Sequence, residues 1–268
     1  MISDIISFLL KNVLKYRLKV IQTNINHCLG ETLDKTQQKE IISRFYTNFS
    51  DIILESIKGL SYNPRKLVPR FKVVNLEMLD QHFDNNQNVI IYSQHFNNWE
   101  WGPITLGLQM KHHVVGIVKV ISNDYIDDYM IKTRPKTNVT VVPTVKTHKY
   151  FAKLHTIEDP QAIFFIADQS PHGKERKTSV NFFGHPTAFH HGAAIFAARS
   201  KYPIYTLDVS RVSRGRYHTK LHQLSPGNEG LSPEEITTRY ADHLQQLIQS
   251  DPEAWLWSHK RFKNSLKY

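Results

Sequence analysis

Val89-Ile90-Ile91-Tyr92-Ser93-Gln94-His95-Phe96-Asn97-Asn98-Trp99-Glu100-Trp101 decides how this chain is to be read. An unbroken apolar run of this length fits a strand buried on both faces. It ends at a histidine and a polar elbow, and a helix start follows. Strand ends that lead into helix starts are where α/β proteins gather polar chemistry. A histidine titrates near neutral pH, and a neighbouring carboxylate can hold its ring in one tautomer. Five helical steps turn a side chain by about 140°. His95 and Glu100 therefore meet only if His95 lies in the loop and Glu100 lies at or near the helix start. Asn97 as N-cap makes Glu100 the third helical residue, the capping-box position, whereas Pro103 favours a start at Trp101 or Gly102.

Working outward, the first twenty residues pattern as an amphipathic helix. Ile2, Ile5, Ile6, Leu9, Val13 and Tyr16 fall on one side, and Ser3, Ser7, Lys11, Lys15 and Lys19 on the other. Such a helix either lies in a membrane interface or covers a core. A second helix is expected from about residue 36 to 59, with Ile41, Ile42, Phe45, Tyr46, Phe49, Ile52, Ile53 and Ile57 as its buried stripe and Gly59 as its stop. From residue 70 short strands alternate with helices. Strands are expected at 88–93, 114–118, 139–142, 162–167, 203–209 and 217–223, and helices around 101–110, 124–133, 147–155, 190–200 and 233–249. That alternation predicts an α/β fold with a mostly parallel sheet covered on both faces. The simplest organisation is one domain over 1–268, with 1–60 a helical N-terminal section.

Composition narrows the function. The 268 residues are 40% hydrophobic and 22% charged, ordinary for a globular chain with a sizeable core. One cysteine, Cys28, excludes an internal disulfide and fits a reducing compartment. No apolar span reaches the twenty or so residues of a transmembrane helix, and no cleavable secretory leader is read at the N-terminus. The net charge of +10 implies an anionic partner. No nucleic-acid recognition motif accompanies the basic residues, which favours an anionic membrane or an acidic carrier. The adjacent pairs His112-His113 and His190-His191 do not have metal-ligand spacing, and no metal site is expected.

A second cluster, Ile166-Ala167-Asp168-Gln169, also ends a strand. Asp168 reads either as a turn residue before Ser170-Pro171 or as a polar group at the same sheet edge.

The His95-to-Glu100 segment resembles the H-x4-E signature of the lysophospholipid acyltransferase superfamily, in the H-x-x-N-W-E form of the bacterial lipid A late acyltransferases. Further blocks are similar: Tyr16-Arg17 with Val20 and Asn24; Asp168-Gln169; Phe182-Phe183-Gly184 before the small residues Gly192-Ala193-Ala194; and Pro252 with Trp255, Trp257 and Arg261. Arg134 stands where the family has R-x-x-x-G, although this chain reads Arg134-Pro135-Lys136-Thr137-Asn138; Asn replaces glycine where φ is positive. The resemblance implies a lysophospholipid acyltransferase-like fold and transfer of a fatty acyl group from an acyl carrier protein or coenzyme A thioester to a hydroxyl or amine of a membrane lipid or glycolipid. It implies a peripheral enzyme on the cytoplasmic face of the bacterial inner membrane, without a cofactor. His95 is then the general base and Glu100 its support. Asn98, with the helix-start N–H groups near it, Arg134 and Asp168 hold substrate or shape the site. An acyl-thioester hydrolase, in which His95 activates water, and a non-catalytic membrane-binding relative are the alternatives.

Overall fold

The computed structural model describes residues 2–118, 138–171, 176–263 and 266. At its centre is a seven-stranded sheet of order β1-β9-β8-β2-β5-β3-β4, built from β1 (Phe71–Val73), β2 (Val89–Ser93), β3 (His113–Val118), β4 (Val139–Pro143), β5 (Gln161–Ile166), β8 (Ile204–Ser213) and β9 (Arg216–Ser225). β8, β2, β5, β3 and β4 run parallel; β9 turns back antiparallel to β8, and β1 pairs parallel with β9. The sheet is thus α/β and mostly parallel, as the alternation predicts.

β2 sits between β8 and β5, which explains why it reads as a continuous apolar run. Ile90 and Tyr92 pack into the larger core with Val115, Ile163 and Phe165, beneath the helices His191–Ser200 and Pro233–Ser250. Val89 and Ile91 face the opposite layer with Phe71, Trp101, Leu106 and Phe164. A strand whose successive side chains enter two cores cannot show polar alternation.

Two strands outside the expected set, β6 (Lys177–Phe182) and β7 (His185–His190), form a separate hairpin. Its loop is the Phe183-Gly184 pair, with φ of 53° and 78°. Two consecutive positive φ values give the turn whose twist matches a hairpin. The short β1 also went unexpected.

The helix expected at 101–110 is cut into a 3-10 turn Trp99–Trp101, a helix Gly102–Thr105 and a 3-10 turn Leu106–Leu108. Pro103 sits at its preferred place in the first turn. Asn98 caps the opening turn by accepting from the Trp101 N–H at 3.1 Å; Asn97 is instead in the left-handed region at φ 48°. The helix expected at 124–133 lies outside the described residues.

The N-terminal section comprises α1 (Ile2–Phe8), a π-helical turn Leu9–Val13, α2 (Leu18–Leu29) and α3 (Lys35–Ser61). α3 begins at Asp34, which forms a capping box with Gln37. The expected first helix is interrupted where Lys15 and Arg17 take positive φ. α1 packs on α3 through its small face, with Ser3 and Ser7 buried, while Ile2, Ile5, Phe8 and Val13 are each at least 60% exposed. Asp4 ties α1 to Arg214 on the β8–β9 turn, and Arg214 in turn reaches Asp51 of α3. The alternative in which this stripe covers a core is therefore not adopted.

Candidate active site

β2 and β5 are parallel neighbours with Ser93 opposite Ile166. Two residues beyond each stands a functional group, His95 and Asp168, so strand register alone brings them to one edge. His95 Nδ1 lies 2.7 Å from Asp168 Oδ1, and the His95 backbone N–H donates to Oδ2 at 3.1 Å. The Trp255 indole N–H donates to the same Oδ2 at 2.9 Å. Asp168 is buried, and burial would raise its pKa. The His95 charge, with hydrogen bonds from the His95 ring, Trp255 and the His95 backbone, outweighs burial and holds the carboxyl below its usual range. An ionised acceptor at Nδ1 requires the proton there, which leaves the Nε2 lone pair free.

For His95 itself, burial disfavours the cation. The charge of Asp168, the hydrogen bond to it and the charge of Glu100 prevail, and the ring is held above the ordinary histidine value. The His95 side chain remains 20% exposed, unlike that of its partner. Trp99 stands edge-on to the ring, with centroids 5.3 Å apart. The Gln169 amide nitrogen is 3.3 Å from Nδ1 and 3.2 Å from Nε2. Near-equal distances put this amide over the ring face rather than in line with the Nε2 lone pair.

The loop is clamped from several sides. Phe96 bridges to Trp255, the Asn97 N–H donates to the Ala254 carbonyl at 2.9 Å, and the Leu256 N–H donates to the His95 carbonyl at 3.1 Å. Asn97 Nδ2 donates to the Val209 carbonyl at 2.7 Å, and its Oδ1 accepts from Asn48 at 3.2 Å. Asn24 of α2 holds the clamping segment in turn, donating to the carbonyls of Trp257 at 2.7 Å and His259 at 2.8 Å. Burial pushes the His259 ring down to about 4, so it is neutral at neutral pH, and its Nε2 accepts the Ser170 N–H at 3.3 Å beside Asp168.

The residues singled out in the sequence fare differently. His95 and Asp168 meet directly. Glu100 accepts from the Trp99 indole at 2.9 Å, and no hydrogen bond joins it to His95 among the described residues. Its effect on the ring is through charge. Asn98 is fully buried; its Oδ1 caps the turn and its Nδ2 donates to Glu55 at 2.7 Å, so its side chain is committed to the fold. Arg134 lies outside the described residues. Asn138, standing for the family glycine, does adopt a positive φ of 55°.

Sequence reading missed the polar face of α3. Asn48, Asp51 and Glu55 are spaced three and four apart, one helical stripe. They hold Asn97, Arg211 and Asn98 respectively. That spacing was the available signal. Trp255 stands in the closing sequence block, but nothing local marks its indole as a donor to Asp168.

Beside the dyad an apolar cleft opens over the second face of the sheet. Ser93, Trp99 and Ile166 flank its His95 end, and Phe71, Phe164 and Val141 are among its walls. The assembly offers a base with an open lone pair, an ionised orienting partner and an apolar channel alongside.

Residues 1–264 match the family model of bacterial lipid A biosynthesis acyltransferases. The chain is 21% identical over 255 residues to the lipid A biosynthesis palmitoleoyltransferase of Escherichia coli strain K12, covering 93% of this chain and 80% of that protein. A lipid A biosynthesis acyltransferase of Shigella flexneri matches with the same identity and coverage.

Proposed function

The chain belongs to the bacterial lipid A biosynthesis acyltransferase family, so it is an acyl-transferring enzyme, and we propose that it moves a fatty acyl chain from a thioester donor to a hydroxyl of a lipid A-type glycolipid. The observation that carries this reading is the His95–Asp168 pair with Nε2 open beside an apolar cleft. Nε2 takes the acceptor's hydroxyl proton as the oxygen attacks the thioester carbonyl carbon. The tetrahedral adduct collapses by breaking the C–S bond, and the imidazolium returns its proton to the departing thiolate sulfur. An ester and a free thiol result. Asp168 stays ionised and stabilises the imidazolium, while Glu100 adds charge from a distance. The helix-start N–H groups near Asn98 are the proposed oxyanion donors. Arg134 is proposed to hold an anionic headgroup of donor or acceptor. The donor's acyl chain occupies the cleft, and either an acyl carrier protein or coenzyme A supplies it.

Purified protein given a lipid A precursor and an acyl-thioester, on carrier protein or on coenzyme A, should yield precursor heavier by one acyl chain by mass spectrometry. Equal consumption of thioester with and without acceptor, and no acylated precursor, would identify a hydrolase instead.

The enzyme is further proposed to work as a peripheral protein on the cytoplasmic face of the inner membrane. No described helix is long and apolar enough to cross a membrane, but the outward stripe of α1 suits the interface. With a net charge of +10, binding should favour anionic lipid. Introducing Ile5→Asp with Phe8→Asp is expected to weaken binding to anionic vesicles by about tenfold or more in a sedimentation assay. Because both side chains are exposed, the thermal midpoint should hardly change. Wild-type vesicle binding by the double variant would remove α1 from this role.

A further inference from the structure

One position in the cleft departs from its strand. β3 reads His113-Val114-Val115-Gly116-Ile117-Val118, a β-branched run interrupted by a single glycine. Glycine weakens a strand interior and packs nothing, so its presence there asks for a reason. The backbone does not require it, since Gly116 is not among the residues with positive φ. Among the described residues crowding does not require it either: a Cβ built there meets none of their atoms within 4 Å. The space it would enter is the cleft. Gly116 pairs with Phe164 of β5 and Val141 of β4, and all three line that cavity. Val114 and Val118, its alternate neighbours, line it too, so this face of β3 looks into the cleft. Ser93, at the end nearer His95, lies on β2, two strands away, or about 10 Å at the usual strand spacing. An acyl chain entering beside His95 and running across the sheet passes Gly116 well beyond its reacting end.

We infer that Gly116 is a specificity-determining residue for acyl-chain length, keeping open the part of the cleft that receives the distal carbons of a long acyl chain. The inference rests on the reading that the cleft takes the donor's chain. Larger side chains at 116 fill that space and select for shorter donors, with no change in the chemistry at His95.

The test uses the full chain, a lipid A precursor and a series of acyl donors differing only in chain length, for wild type, Gly116→Ala and Gly116→Leu. The ratio of kcat/KM for a long donor to that for a short one should fall by about tenfold or more in Gly116→Leu, the worth of about two buried methylenes at the usual transfer value. Gly116→Ala should fall between, and it decides the matter if the leucine variant does not fold. An unchanged chain-length profile in folded variants overturns the inference. So does a rise in acceptor KM with the donor profile intact, which would put an acceptor chain in the cleft. Failure of wild type to transfer any acyl group would show separately, as failure of the catalytic reading itself.

Discussion

His95→Ala is expected to lower the single-turnover rate of acyl transfer by about 10³-fold or more, the upper part of the range for loss of a general base. The loss should be chemical rather than structural, and the geometry says why. His95 is held by its backbone as much as by its ring: its N–H binds Asp168 and its carbonyl accepts from Leu256. Alanine keeps both bonds. Asp168 loses its ring partner but retains that N–H and the Trp255 indole, so its buried charge is not stranded. The stability cost should then be about 1–3 kcal/mol, below that of leaving a buried ion unpaired. Urea denaturation alongside the rate separates the two effects. Donor KM should move little, because the cleft walls are untouched. A folded His95→Ala enzyme transferring at the wild-type rate would remove His95 from the mechanism.

How far the sequence reveals this arrangement follows from which constraints are local. β2 was legible because burial on both faces leaves an unbroken apolar signature. β1 is three residues long, too short for any periodicity to register. The hairpin β6–β7 does alternate, with Thr178, Val180 and Phe182 turned inward, but its polar inward threonine and its polar outer positions hide the strand. The helix after His95 reads as continuous by apolar spacing, yet Gly102, Pro103 and Gly107 divide it. For α1 the spacing correctly yields an amphipathic helix, but which face meets the protein depends on α3 and on Arg214, more than two hundred residues away. The partner of the His95 ring shows the limit most clearly. Glu100 is near His95 in sequence, whereas Asp168 is 73 residues away, and only the adjacency of β2 and β5 unites them. Strand order is a property of the whole sheet. Once it is known, the matching two-residue overhang past Ser93 and Ile166 makes the pair almost inevitable.

Asp168→Asn should be comparably damaging, at about 10³–10⁴-fold in kcat, for a reason specific to this clamp. One carboxylate oxygen accepts from two fixed donors, the His95 backbone N–H and the Trp255 indole. An asparagine in the same pose must keep its carbonyl oxygen there, or two donors would face its amide. Its NH₂ then points at His95 Nδ1 and donates to it. The ring proton is driven to Nε2, the atom that has to accept, and the base is lost without any change of shape. Glu100→Gln removes only a remote charge and leaves the tautomer alone, so its defect should be the smaller of the two. The pH dependence follows with a definite sign. Burial opposes protonation of His95, but the charge and hydrogen bond of Asp168 and the charge of Glu100 outweigh it and raise its pKa. The active form is the neutral ring, so kcat/KM should rise with pH through an inflection above the ordinary histidine value. Glu100→Gln withdraws one of the raising influences, so its inflection moves down and its defect shrinks as the pH is lowered. Should Glu100→Gln instead prove the more damaging, with Asp168→Asn retaining the wild-type pH profile, Glu100 rather than Asp168 would be the group that governs the ring during the reaction.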